Sequence, residues 1–129
     1  MKAQIICPNF LNSNNLYSTN FLNQYKIIEL FLYKIFTEEE NKLFLAKGFT
    51  KGSMVDDRDG FIHLSAKGQL FETINKHFNH LETIYIYSFF METLDTNLKW
   101  EISRNGEYFP HYYGHLSLRD TIYFLKIKI

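Results

Sequence analysis

The chain has 129 residues, and 14 Lys plus Arg balance 14 Asp plus Glu, so its formal net charge is zero. That length suits one domain able to bury roughly two thirds of its unfolded surface, while the charge balance removes the diffuse basic field behind general nucleic-acid binding. Apolar runs such as "LFLY" and "IYFL" fall far short of the roughly 20 residues a membrane span needs. The single Cys7 has no partner for an internal disulfide, and the N-terminus shows no signal-peptide pattern, so a cytoplasmic location is expected.

In chain order, "PNFLNSNNLYSTNFLN" follows neither helical nor strand period, and residues 1–28 are expected to form a loosely ordered leader before a single domain over 29–129. "LFLYKIF" reads as a strand continuous enough to be buried on both faces. "TEEENKLFLAKG" follows with Thr37 and Glu40 in capping-box spacing, acidic residues in the first turn, apolar Leu43 and Phe44, and Gly48 as a stop, which predicts a short helix. "FTKGSMVDDRDG" is expected as a polar loop leading into the strand "FIHL".

Ser65 is placed to cap a second helix, in which Leu70, Phe71, Ile74 and Phe78 form one apolar stripe. "TIYIYSF" and "LKWEI" alternate as strands, with Ile84 and Ile86 sharing one face and Trp100 and Ile102 sharing another. The Asn-Gly of "SRNGE" predicts a hairpin, and "TIYFLKIKI" closes the chain as a strand. Strands gathered late without intervening helices indicate an α+β fold with two short helices and a largely antiparallel sheet.

Polar clusters interrupt this pattern at "DDRDGFIHLS", "WEISRNGE", "FPHYYGH" and, more weakly, at Tyr33 and Lys34. Within "DGFIHLS", Phe61, His63 and Ser65 share one strand face, so two polar groups there either bond within the fold or face a cleft. His63 can hydrogen-bond a ligand or shuttle a proton. Arg104, beside the turn, either grips a phosphate or carboxylate or pairs with Glu101 or Glu107. Pro110 restricts Phe109 to an extended backbone, which suits a site wall or an edge turn. His111 and His115 have the spacing of helical zinc ligands, but Pro110 and Gly114 argue against a helix there, and no metal is expected. No phosphate-binding glycine loop and no nucleophile elbow are present.

Taken together, "DGFIHLS" with Gln69 downstream, "WE" with "SRNGE", and "FPHYYG" resemble the bacterial domain of unknown function family 952, over about Leu32 to the C-terminus. Lys34 stands where that family often has a histidine. The family is grouped with the ADP-ribosyltransferase-like fold, and "FIHLS" also looks like the "VHLS" stretch of RNA 2′-phosphotransferases, which share that fold and process NAD. The resemblance implies a split antiparallel sheet, a nucleotide cleft between its halves, and NAD or an ADP-ribose-like nucleotide as substrate.

Departure of nicotinamide leaves an oxocarbenium-like ribose that a carboxylate can stabilise, a role Glu101 takes on the family's Trp-Glu motif. His63 and His111 join it as catalytic candidates, and Ser65, Arg58, Arg104, Tyr113 and Asp59 as candidates for holding the substrate. The alternative from the same residues is a module that binds a phosphorylated metabolite or a protein segment without turnover. Function resides in sites and not in folds, so the choice between these readings lies in how the fold arranges these side chains.

Overall fold

The computed structural model of the protein describes residues 2–6 and 30–129. Its strands are β1 (Lys2–Ile6), β2 (Phe31–Thr37), β3 (Phe49–Thr50), β4 (Ile62–His63), β5 (Thr83–Phe90), β6 (Leu98–Ile102), β7 (Tyr108–Tyr112), β8 (Leu116–Ser117) and β9 (Thr121–Lys128). Its α-helices are α1 (Glu38–Lys47), α2 (Met54–Asp59), α3 (Leu70–His77) and α4 (Met91–Leu94). The strands form a four-stranded sheet in the order β1-β9-β5-β2, a three-stranded sheet β4-β7-β6 and the pair β3-β8, with antiparallel pairing throughout. This is the mixed α+β, antiparallel architecture the strand order indicated.

The continuous apolar run of β2 is buried on both sides, as its composition demanded. One core, on one face of the large sheet, gathers Leu32, Phe36, Tyr87 and Phe89 with Phe44 of α1. The other face packs Tyr33, Ile35, Ile84 and Ile86 against Ile74 of α3. Phe36, Phe44 and Tyr87 meet ring to ring at 5.0–5.3 Å between centroids, and the buried Tyr87 hydroxyl donates to Asn41 Oδ1 at 2.6 Å. Thr37 and Glu40 close the expected capping box on α1, and Gly48 ends it in the left-handed region.

Several local expectations are corrected. The polar loop contains α2, because Ser53 and Asp56 form a second capping box and Gly60, at φ +86°, ends the helix. Ser65 does not cap the next helix. Its backbone is instead engaged with Tyr33, and the chain turns through a 3-10 segment started by Ala66, whose N–H donates to the Gln69 side chain. Phe71 leaves the apolar stripe and is 69% exposed, and Leu43 likewise faces outward, since each lies on the helix side away from its sheet. Lys2–Ile6, assigned by sequence to the leader, pairs with β9; the rest of that expectation, residues 7–28, lies outside the described residues.

The Asn-Gly hairpin forms as expected between β6 and β7, with Asn105 at φ +58° and Gly106 at φ +73°. Pro110 sits in the middle strand β7 without breaking it. Its carbonyl accepts from Leu64 N–H, so its nitrogen also faces the β4 side, and the reciprocal bond to Leu64 at the end of that two-residue strand is the one the proline forgoes. Among the described residues, no helix is long and apolar enough to cross a membrane.

Candidate functional site

The two larger sheets meet at one place. Tyr33 of β2 and Ser65, just after β4, exchange both backbone hydrogen bonds at 2.9 Å. On the other side of that bridge the strands part, and the gap is filled by a side chain instead of a ladder. Asp56, from the first turn of α2, accepts Lys34 Nζ of β2 at 2.6 Å and Ser53 N–H at 2.8 Å on Oδ2. Its Oδ1 accepts the His63 N–H at 3.1 Å and lies 2.6 Å from His63 Nδ1.

Asp56 and Lys34 are buried, so neither charge has water to solvate it and each depends on the other. Burial by itself would raise the Asp56 carboxyl. The His63 hydrogen bond and the Lys34 charge outweigh it and hold the group far below the usual carboxylate range. Gly52, at φ +98°, leaves room for this carboxylate, and a Cβ there would overlap it. Gly52→Ala is therefore expected to cost about 1–3 kcal/mol from the backbone conformation alone, and more from displacement of Asp56. Denaturant unfolding of the variant checks this.

A cleft of about 490 Å³ opens beside the network, within the size range of small-molecule sites. His63, Ser65, Asp59, Arg58, Arg104 and His111 are all on its wall. Those six candidates, drawn from three separate segments of sequence, converge as residues of one cavity. His63 has a carboxylate at each ring nitrogen, Asp56 at Nδ1 and Asp59 Oδ2 3.1 Å from Nε2. Arg58 is largely exposed at the rim and donates to Asp59 Oδ1 at 3.0 Å.

His111 is the more poised imidazole. Register places it opposite His63 and beside Lys99, on the face that Glu101 and Phe109 share. It is 4% exposed, Phe61 stacks on it at 3.9 Å, and its Nδ1 lies 3.0 Å from Glu101 Oε1. Its Nε2 is buried and has no hydrogen-bond partner among the described residues. A carboxylate on Nδ1 fixes the ring and leaves the far nitrogen unpaired.

Glu101 itself is not on the cleft wall. Its Oε1 also accepts the Tyr113 hydroxyl at 2.6 Å, and those two bonds, Tyr113's the stronger influence, hold its carboxyl below the ordinary value. Tyr113 is off the wall as well, and meets the site through Glu101 and through the Phe61 ring, 5.4 Å away. Arg104 is also on the wall, with its guanidinium 4.9 Å above the Phe109 ring and Nη2 donating to Thr73 Oγ1 at 3.2 Å. His115 is apart from this cluster, stacked on Phe49.

Sequence reasoning missed Asp56 and Lys34 as the center of the site. The signals were present: a lone lysine inside a strand buried on both faces requires a counter-ion, and Ser53-x-x-Asp56 marks a helix start that fixes an acid nearby.

The family model described as Protein of unknown function (DUF952) matches residues 35–123, and the chain belongs to that family. The match takes in every site residue named above except Tyr33 and Lys34. The chain is also similar to protein CC0527 from Caulobacter crescentus, whose crystal structure superposes with a TM-score of 0.73 at 37% identity, over 77% of this chain and 87% of that one. A double mutant of CC0527 gives 0.73 at 35% identity over the same shares, 77% and 87%. The solution NMR structure of CC0527 gives 0.65 at 39% identity, over 73% of this chain and 81% of that one. No curated protein matches the chain.

Proposed function

We propose that the cleft binds NAD, ADP-ribose or a related phosphorylated ribose, and that His111 exchanges a proton with it. The observation that carries this reading is the His111 imidazole, buried, anchored through Nδ1 on Glu101 and unpartnered at Nε2. A buried polar atom without a partner is costly, and a ligand hydroxyl or water would satisfy it. The cleft wall supplies the rest of a nucleotide site, with Ser65 for ribose hydroxyls and the Arg104 guanidinium for phosphate oxygens.

For NAD the step is simple. The bond from ribose C1′ to the pyridinium nitrogen breaks, nicotinamide leaves as a neutral molecule, and water or an acceptor hydroxyl attacks C1′. Its proton passes to His111 Nε2, and Glu101 stabilises the resulting imidazolium. In this reading Glu101 is a positioning residue that acts through His111, in place of the direct contact with ribose expected from the sequence. The ADP-ribosyltransferase-like grouping belongs to the same proposal, and the parting of β2 from β4 beside the Tyr33–Ser65 bridge supports it.

ADP-ribose at about 100 times its dissociation constant should stabilise the protein by about 2.7 kcal/mol, a rise of several degrees in Tm by thermal shift. An unchanged Tm at millimolar ADP-ribose and NAD would rule the reading out. Binding without release of nicotinamide would favour the non-catalytic module, a reading consistent with His63 being held at both nitrogens.

A further inference from the structure

We infer that Thr73, His77 and Arg104 form an anion subsite at the α3 end of the cleft, which takes a phosphate group of the bound nucleotide. It rests on the reading of the cleft as a nucleotide site and locates where the charge of that nucleotide sits. Thr73 and His77 are four residues apart on α3 and so project from one helix face. Both line the cleft, with Arg104 facing them from the β6–β7 turn.

Arg104 is an unusual cation. Its side chain is only 10% exposed, and its Nε, though buried, makes no hydrogen bond and lies 3.5 Å from Glu72 Oε1. Among the described residues the one hydrogen bond of its side chain is Nη2 to Thr73. A guanidinium has five N–H donors in a rigid fork, and here one is bonded to Thr73 and the buried Nε–H is unpaired, so the fork has donors left for a planar oxyanion. Phe109 beneath the guanidinium and Thr73 beside it fix the plane of the fork. The Thr73 hydroxyl, already in contact with Arg104, can donate its own proton to a phosphate oxygen.

Glu72 competes for this site. Its side chain is 55% exposed, so an arriving phosphate can displace it into solvent at little cost. His77 reports on the same charge. Partial burial, and then the Arg104, Lys76 and His63 charges, hold its imidazole below the ordinary histidine value, so an anion bound between Arg104 and His77 should raise it.

The test is NMR titration of the full chain with inorganic pyrophosphate and, separately, with ADP-ribose. Pyrophosphate is expected to shift the His77 ring resonances and move their titration to higher pH. Arg104→Gln and Thr73→Val should each weaken binding, Arg104→Gln by about tenfold or more. Glu72→Gln should tighten it severalfold. Arg104→Lys keeps charge and stem but loses the fork, and should also weaken binding if Arg104→Gln does not fold. Pyrophosphate affinity unchanged in the Arg104 variants, or a His77 ring that does not respond, overturns the subsite. Binding of ADP-ribose but not pyrophosphate overturns the subsite and leaves the cleft reading standing, whereas binding of neither overturns both.

Discussion

Asp56→Asn is expected to lower the unfolding free energy by about 3–5 kcal/mol, because it leaves the buried Lys34 ammonium without a counter-ion and removes the charge that holds His63. That is a large share of the stability of a domain this size, for which about 5–15 kcal/mol is usual. Urea unfolding at neutral pH provides the measurement, and a loss below about 1 kcal/mol would mean that the carboxylate is not the joint between β2 and β4. The sign of the pH dependence follows from the depressed folded-state value. The contribution of Asp56 is complete above the unfolded carboxylate value of about 3.9 and is lost as pH falls below that toward the folded value. The parent protein should therefore lose stability steeply in strong acid, and the asparagine variant should show a flatter slope there.

His111→Asn is expected to reduce nicotinamide release from NAD by about 10²–10⁴-fold, the usual weight of a general acid or base. Ligand binding, read as the Tm rise with ADP-ribose, should change far less, because Arg104 and Ser65 remain in place. Glu101→Gln should produce a smaller fall in kcat, since its amide can still hold the ring but gives less support to the imidazolium. A shift in the pH profile for Glu101→Gln would separate positioning from mere folding. Equal turnover in the parent protein and His111→Asn would remove the proton transfer from the proposal.

Much of this arrangement was legible in the residues alone. The double-sided burial of β2 follows from its unbroken apolar run, α1 from Thr37, Glu40 and Gly48, and the hairpin from Asn105-Gly106. These signals are local, and each is decided within about ten residues. The pairing of Lys34 with Asp56 is 22 residues long-range, and no period or propensity encodes it. Strand register was equally hidden: it alone sets His111 opposite His63 and turns Glu101 toward His111. The capping error at Ser65 has the same origin, since its backbone bridge to Tyr33 is a tertiary contact. Motif reading gathered His63, His111, Arg104 and Asp59, which the fold brings to one cleft wall, but it could not tell that Glu101 lies off that wall and against His111.

Asp56 binds four donors where two strands separate, so the width of the cleft and the cohesion of the sheets depend on one carboxylate. Selection therefore cannot reshape the cavity at that position without endangering the fold, and a saturation library scored for cellular abundance should be almost empty there. At His111, whose side chain is held by the Phe61 ring and by Glu101, the proposal expects abundance and activity to be lost independently. Divergence toward new ligands would then accumulate on the hairpin and α3 sides of the cavity, while the α2 side stays fixed.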